Sequence, residues 1–473
     1  MKPKIAALFL TSLSFSLTGN TQTAPNWPVV GQLKPRDSKQ IKASTWSIGG
    51  ETLDRDYTDY QSYKTYLGPL GAKRIRLQGG WSKCEKIKGQ YDFAWLDAVI
   101  PDAASRGVAP WVELSYGNPI YGPGGGEAKL AGHIPTSPEA LAAWDAWVRA
   151  MVTRYKSQVP EWEIWNEPDL NAKHTGAMIG EFYLRTARLV KSIQPEARLI
   201  ALGMASVTKL DFMREFMEVL KKENALNLID ILTYHGYAPN PDTSYPNIEK
   251  LRQLVWSYNP RVVFMQGENG APSTLSAVTI GALRQFDWSE LTQAKWNLRR
   301  MLGDHGRGIA TNLFTISDIH YAAGDHMVGV NTKGLLKTNP DKTIERPKLA
   351  FKAAQHVFSL FDDGIELLEK TKPATSQQTV AAFAYRHKKS GGSLVTLWSG
   401  EARPADTYQP KVTDVTVEGS FKNPVFVDLI SGKAYEIPKG TWKKSGTTYT
   451  FTGLLVPDYP VLIAEKAALA AVL

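Results

Sequence analysis

The chain has 473 residues, 43% hydrophobic and 21% charged, which excludes a disordered or fibrous protein. Its formal net charge is +9, but the Lys and Arg are spread along the chain and mixed with acids; without a nucleic-acid-binding motif this describes a basic solvated surface. The single cysteine, Cys84, excludes a disulfide framework and a zinc or iron–sulfur site built from cysteines.

Residues 1–24 begin with Lys2 and Lys4, continue as an apolar run over 5–17 and end in small and polar residues. That run is too short for a bilayer, which needs about 20 residues. It predicts a cleavable export signal and a secreted or periplasmic bacterial protein, with no stable membrane insertion. Residues 25–40 lack a helical period and are expected to add an edge strand to a later sheet.

From 41 to 368, short apolar runs alternate with amphipathic ones. The strand candidates are IKASTWSI from Ile41, AKRIRLQ from Ala72, APWVELS from Ala109 and EWEIWNE from Glu161. ARLIALG from Ala197, IDILTYH from Ile229, VVFMQGE from Val262 and ATNLFTIS from Ala310 complete the set of eight. Helical runs lie between them, including one over 93–107 that stops at Gly107. Another opens on Ser137 as N-cap with Pro138 in the first turn. The pattern predicts an α/β fold, a (β/α)8 TIM barrel. Over 369–473 the texture changes to short alternating runs divided by Gly, Ser, Pro and Lys, which predicts a C-terminal antiparallel β-sandwich.

Two runs end in glutamates, Glu167 and Glu268, at the predicted C-terminal ends of strands four and seven. That is the rim where a TIM barrel carries its active site. Two carboxylates facing each other there are what cleavage of a glycosidic bond requires: one protonates the leaving oxygen and the other attacks the sugar carbon. Alternation along strand four puts Glu163, Trp165 and Glu167 on one inward face, with Asn166 beside the rim. Arg76 on strand two is placed to compensate a buried Glu163 or Glu268. His235 and Tyr237 stand at the exit of strand six. The glycine run at 122–127 lacks the Lys-Ser/Thr of a phosphate loop, and no metal-ligand spacing or cofactor motif is present.

WNEP at 165–168, with the second glutamate on strand seven, resembles the acid/base motif of the large clan of retaining glycoside hydrolases built on this barrel. GQYDFAWLDAVI (89–100), YHGY (234–237) and FTISDIHY (314–321), followed by KTIERPKLAF, are similar to segments of family 39, which contains β-xylosidases and α-L-iduronidases. The likeness covers about 42–365. Gln78 stands where the family tends to have His, and Leu313–Phe314 where it tends to have Trp, so the sugar does not carry over.

The resemblance implies double displacement on a β-linked poly- or oligosaccharide. Glu167 would be the general acid/base, its pKa raised by Glu268, and Glu268 the nucleophile. Asn166 would bind the sugar 2-hydroxyl. Tyr237 or His235 would orient Glu268, and Arg76 would support it from below. Gln78 lies near the sugar in this scheme, and Trp46, Trp81 and Tyr116 are candidates to stack on sugar faces. An anionic sugar would require one or two Lys or Arg converging on the pocket. The alternative is a non-catalytic carbohydrate-binding protein that keeps the barrel. Oligomeric state is not legible in the sequence.

Overall fold

The computed structural model describes residues 26–323 and 326–473; the expected export signal over 1–24 lies outside them. Eight parallel strands close into a barrel. They are β1 (Trp46–Gly49), β2 (Arg74–Gln78), β3 (Ala109–Leu114) and β4 (Glu161–Ile164), then β5 (Arg198–Met204), β6 (Ile231–Tyr234), β7 (Val263–Asn269) and β8 (Ala310–Leu313). Each falls within, or within one residue of, an apolar run that predicts it. Closure comes from β8 pairing with β1, Trp46 opposite Thr311.

Alternation along the strands divides the side chains. Ile75, Leu77, Val112 and Leu114 join the core formed with the helices, which includes Trp144, Trp147 and Met151 of helix Pro138–Tyr155. Trp111, Ile200, Ile231 and Met265 come from four different strands and form one apolar plug. Helix Pro138–Tyr155 starts where Ser137 accepts a hydrogen bond from the Ala140 amide. The run at 93–107 forms two short helices, Ala94–Asp97 and Ile100–Ser105, not one. Pro101 has no N–H to donate and sits in the first turn of the second, where none is needed.

After β8 the chain makes an antiparallel hairpin, β9 (Ile319–Ala323) and β10 (His326–Asn331). The C-terminal region forms a seven-stranded and a four-stranded antiparallel sheet. Strand Val29–Gln32 pairs with Lys433–Glu436 at the edge of the larger one. Helix Glu290–His305 ties this region to the barrel: Lys295 reaches Asp458 at 2.7 Å, and Arg299 donates to the Ala402 carbonyl at 2.7 Å. Cys84 is buried, and burial pushes its thiol up to about 12, so it acts as a small apolar filler. Among the described residues no helix is long and apolar enough to cross a membrane.

Candidate active site

The rim of the barrel is shaped by two irregular strands. β5 breaks register between Ala201 and Met204, and β7 between Gln266 and Asn269. Such bulges re-aim side chains next to active sites. At the first, Gly203 has φ +55°, and a Cβ there would meet Asn166 Oδ1 at 3.1 Å and His235 Nε2 at 3.2 Å. Both the backbone angle and the space require glycine. Its carbonyl accepts the Glu167 amide at 3.0 Å. The second bulge carries Glu268.

β4 ends at Ile164, and the next residues do not continue its alternation. Trp165 and Glu167 adopt left-handed backbone angles, φ 68° and 46°, which non-glycine residues rarely hold. Trp165 therefore does not share the inward face of Glu163 and Glu167. Its ring packs edge-on against Phe182 and Tyr116 and beside Trp144.

Glu167 and Glu268 face one cavity of about 420 Å³. His235 lies between them: one atom each from Glu167, His235 and Glu268 lie within 4.8 Å of one another. His235 Nδ1 is 2.7 Å from Glu167 Oε1 and 3.7 Å from Glu268 Oε2. The Tyr237 hydroxyl donates to Glu268 Oε1 at 2.9 Å. Burial raises the Glu167 carboxyl above its ordinary 4.5, His235 opposes, and Glu268 adds to the rise. The expectation assigned that rise to Glu268; burial is the larger cause. Burial alone would discharge His235, but Glu268 and Glu167 outweigh it and carry the imidazole up to about 9. Such a triangle could offer three ligands to a cation. Imidazolium His235 and the guanidinium of Arg76 already supply the positive charge there.

Arg76 is fully buried beneath the pair and bonds four glutamates. Its Nε donates to Glu163 at 2.7 Å, and Nη1 to Glu51 at 3.1 Å and Glu268 at 3.3 Å. Nη2 donates to Glu113 and to Asn166 Oδ1, the latter at 2.8 Å. Burial pushes Glu51 up to about 7 and Glu113 up to about 8, against the pull of Arg76. Asn166 is clamped, since its Nδ2 also donates to the Tyr116 hydroxyl at 2.9 Å.

Glu167, Glu268, Asn166, Gln78, Tyr237 and Tyr116 all line the cavity. Gln78 accepts from Arg55 at 2.7 Å and donates to the Tyr116 hydroxyl at 3.2 Å. Arg76 and His235 hold the pair from behind. Two expected platforms are corrected. Trp46 is fully buried, stacked on His305 and Phe358 with its Nε1 bonded to the Phe361 carbonyl at 2.7 Å. Trp81 is fully buried between Tyr121 and Trp147. Neither ring has a face free for a sugar. The sequence reading missed Glu51, Glu113, Arg55 and Lys333. Glu51 follows β1 in SIGGE much as Glu268 ends its own strand, so the same strand-end rule points to it.

Residues 76–259 match the family model for Glycosyl hydrolases family 39, a span that holds Arg76, Glu167 and His235 and stops before Glu268. The beta-galactosidase BgaA of Clostridium cellulovorans is 33% identical over 118 residues, 21% of this chain and only 18% of that protein. In fold, the chain is similar to a family 39 glycoside hydrolase from Bacteroides cellulosilyticus WH2, with TM-score 0.62 at 17% identity over 92% of this chain and 83% of that one. It is also similar to the GH39 enzyme from Xanthomonas axonopodis pv. citri, with TM-score 0.56 at 14% identity over 92% of this chain and 95% of that one. In sequence over 76–259, and in fold over 92% of its length, the chain is therefore family 39-like: a glycoside hydrolase fold with two glutamates facing each other across its rim cavity.

Proposed function

We propose that the chain is an exported retaining glycoside hydrolase acting on a β-linked poly- or oligosaccharide. One observation carries the reading. Glu167 and Glu268 stand across a single cavity, with one oxygen of each within 4.8 Å of the other, close enough for the short carboxyl separation of a retaining enzyme. Retaining enzymes place their carboxyl groups about 5–5.5 Å apart, whereas inverting ones leave about 6.5–9.5 Å for a water.

Glu167 protonates the leaving oxygen, and Glu268 attacks the anomeric carbon to form a glycosyl–enzyme intermediate. Glu167 then takes a proton from the water that releases the sugar. Tyr237 and Arg76 hold the Glu268 oxygens in place. Asn166, fixed by Arg76 and Tyr116, is offered to the sugar 2-hydroxyl.

The newly released reducing end should keep the anomeric configuration of the substrate. Proton NMR during the first minutes of hydrolysis reads this directly, and an inverted product rules the scheme out. The acid step also sets a pH dependence. Glu167 must be protonated, and its carboxyl lies above 4.5, so kcat/KM should fall as pH rises through that higher value. Glu167→Gln should lose about 10²–10⁴-fold on poor leaving groups and lose this alkaline limb. A Gln variant with the parent's pH profile would remove Glu167 from the acid role. A non-catalytic sugar-binding protein would show no turnover in either form.

A further inference from the structure

Three lysines of the described residues are fully buried, Lys295, Lys333 and Lys348. Two have counterions: Lys295 pairs with Asp458 at 2.7 Å and Lys348 with Asp318 at 2.6 Å. Lys333 has no ion-pair partner among the described residues. Its Nζ has only a long contact to Asn331 Oδ1 at 3.4 Å and sits 5.3 Å from the centre of the Tyr237 ring. It is also the one of the three that lines the active-site cavity.

A buried ammonium without a counterion is costly. Burial holds the Lys333 amine down to about 7, with only Glu268 pulling the other way. Ion pairs elsewhere in the fold satisfy its other buried lysines; this one is left for something that enters the cavity. A second cation faces the same space. Arg55 commits Nε to Asp54 at 3.1 Å and Nη2 to Gln78 at 2.7 Å, and its guanidinium lies over the Tyr116 ring. Arg55 and Tyr116 also line a neighbouring cavity of about 190 Å³, which carries Lys83 and Lys86 together with Asp54 and Asp56; Lys83 pairs with Asp56 at 2.6 Å. The space past the two glutamates thus continues along a wall of mixed charge, and Lys333 is the unpaired cation of the main cavity among the described residues.

We propose that this site takes a glycan whose sugar next to Glu268 bears an anionic substituent, a carboxylate or a sulfate ester, and that Lys333 reads that group with Arg55 on the same wall. The proposal rests on reading the cavity as a glycoside-binding site. Lys333 acts as a specificity residue: it supplies the charge that separates an acidic sugar from its neutral counterpart.

The test is calorimetric titration of the full mature chain with matched glycan pairs. The carboxylate arm uses β-linked oligoglucuronates against their methyl esters. The sulfate arm uses sulfated galactan oligosaccharides against their desulfated forms. In at least one pair the acidic member should bind at least about tenfold more tightly, the size of one charge-assisted hydrogen bond. The arm that responds names the anion. Lys333→Met should bring that pair level, and Lys333→Arg should keep most of the preference. The melting temperature of Lys333→Met should equal or exceed the parent's, because an unpaired buried charge is removed; a purely structural lysine would lower it. No preference in any pair, or a preference that survives Lys333→Met, overturns the proposal. Acidic glycans bound tightly but never cut would sink the hydrolase reading and leave this one standing. Neutral glycans cut without acidic preference would do the reverse.

Discussion

Glu268→Ala should fold like the parent and lose roughly 10⁴–10⁶-fold in turnover, the scale seen when one member of a catalytic unit is removed. The fold should survive because Glu268 adds to a crowd of negative charge. It is one of four carboxylates on Arg76, and its proximity raises the pKa values of Glu51 and Glu167. Removing it leaves Glu51, Glu113 and Glu163 on the guanidinium. Active-site strain of this kind is commonly relieved by such substitutions. The chemistry should not survive, because the carboxylate that would attack the sugar carbon is itself removed. A small anion can occupy the vacated space, so azide should restore turnover of a substrate with a good leaving group. The product should then be a glycosyl azide of opposite anomeric configuration, since one displacement replaces two. Near-parent turnover by Glu268→Ala without azide would move the nucleophile elsewhere.

Arg76→Met should destabilise the protein by about 3–5 kcal/mol, the cost of stripping a buried charge cluster of its counterion. Glu51, Glu113 and Glu163 are each about 1% exposed or less and share this one guanidinium. The penalty should depend on pH, with a definite sign. Glu51 and Glu113 have folded pKa values of about 7 and about 8, above their ordinary 4.5. A carboxyl raised in this way contributes stability that is present below about 4.5 and is lost as pH rises through its folded value. The parent's stability should therefore decline between pH 4.5 and 8, and Arg76→Met should steepen that decline. Denaturant melts at pH 5 and pH 8 decide the matter: the variant's deficit should be larger at pH 8. An equal or smaller deficit there would mean that the glutamates do not depend on Arg76 for their charge. Activity should fall as well, since Asn166 and Glu268 both lose a bond.

The eight strands and the two rim glutamates were legible in the sequence because they are written in short windows. An apolar run of the right length, an alternation such as RIRLQ at 74–78, and a cap such as Ser137 each act on near neighbours. Once eight such units alternate with helices, closure follows from general rules, and strand ends become a rim. Helix Tyr60–Leu70 is not legible in the sequence, since Gly68 and Pro69 interrupt the run in its last turn.

What only the tertiary structure decided is how residues far apart share space. Trp46 and Trp81 look like sugar platforms because a tryptophan near a barrel strand is equally suited to stack on a sugar or on a protein ring. His305 and Phe358, more than 250 residues away, settle the question for Trp46. The bulges in β5 and β7 depend on pairing between strands, so they appear only when the barrel is closed. The four-glutamate arrangement on Arg76 joins β2, β3, β4 and β7 with the loop after β1. No local pattern marks Lys333 as different from the other 54 Lys and Arg, all of which look alike in a linear charge count. Local windows determine which elements form. Burial and charge compensation are set by long-range packing, and those quantities decide which glutamate is protonated and which lysine waits for a partner.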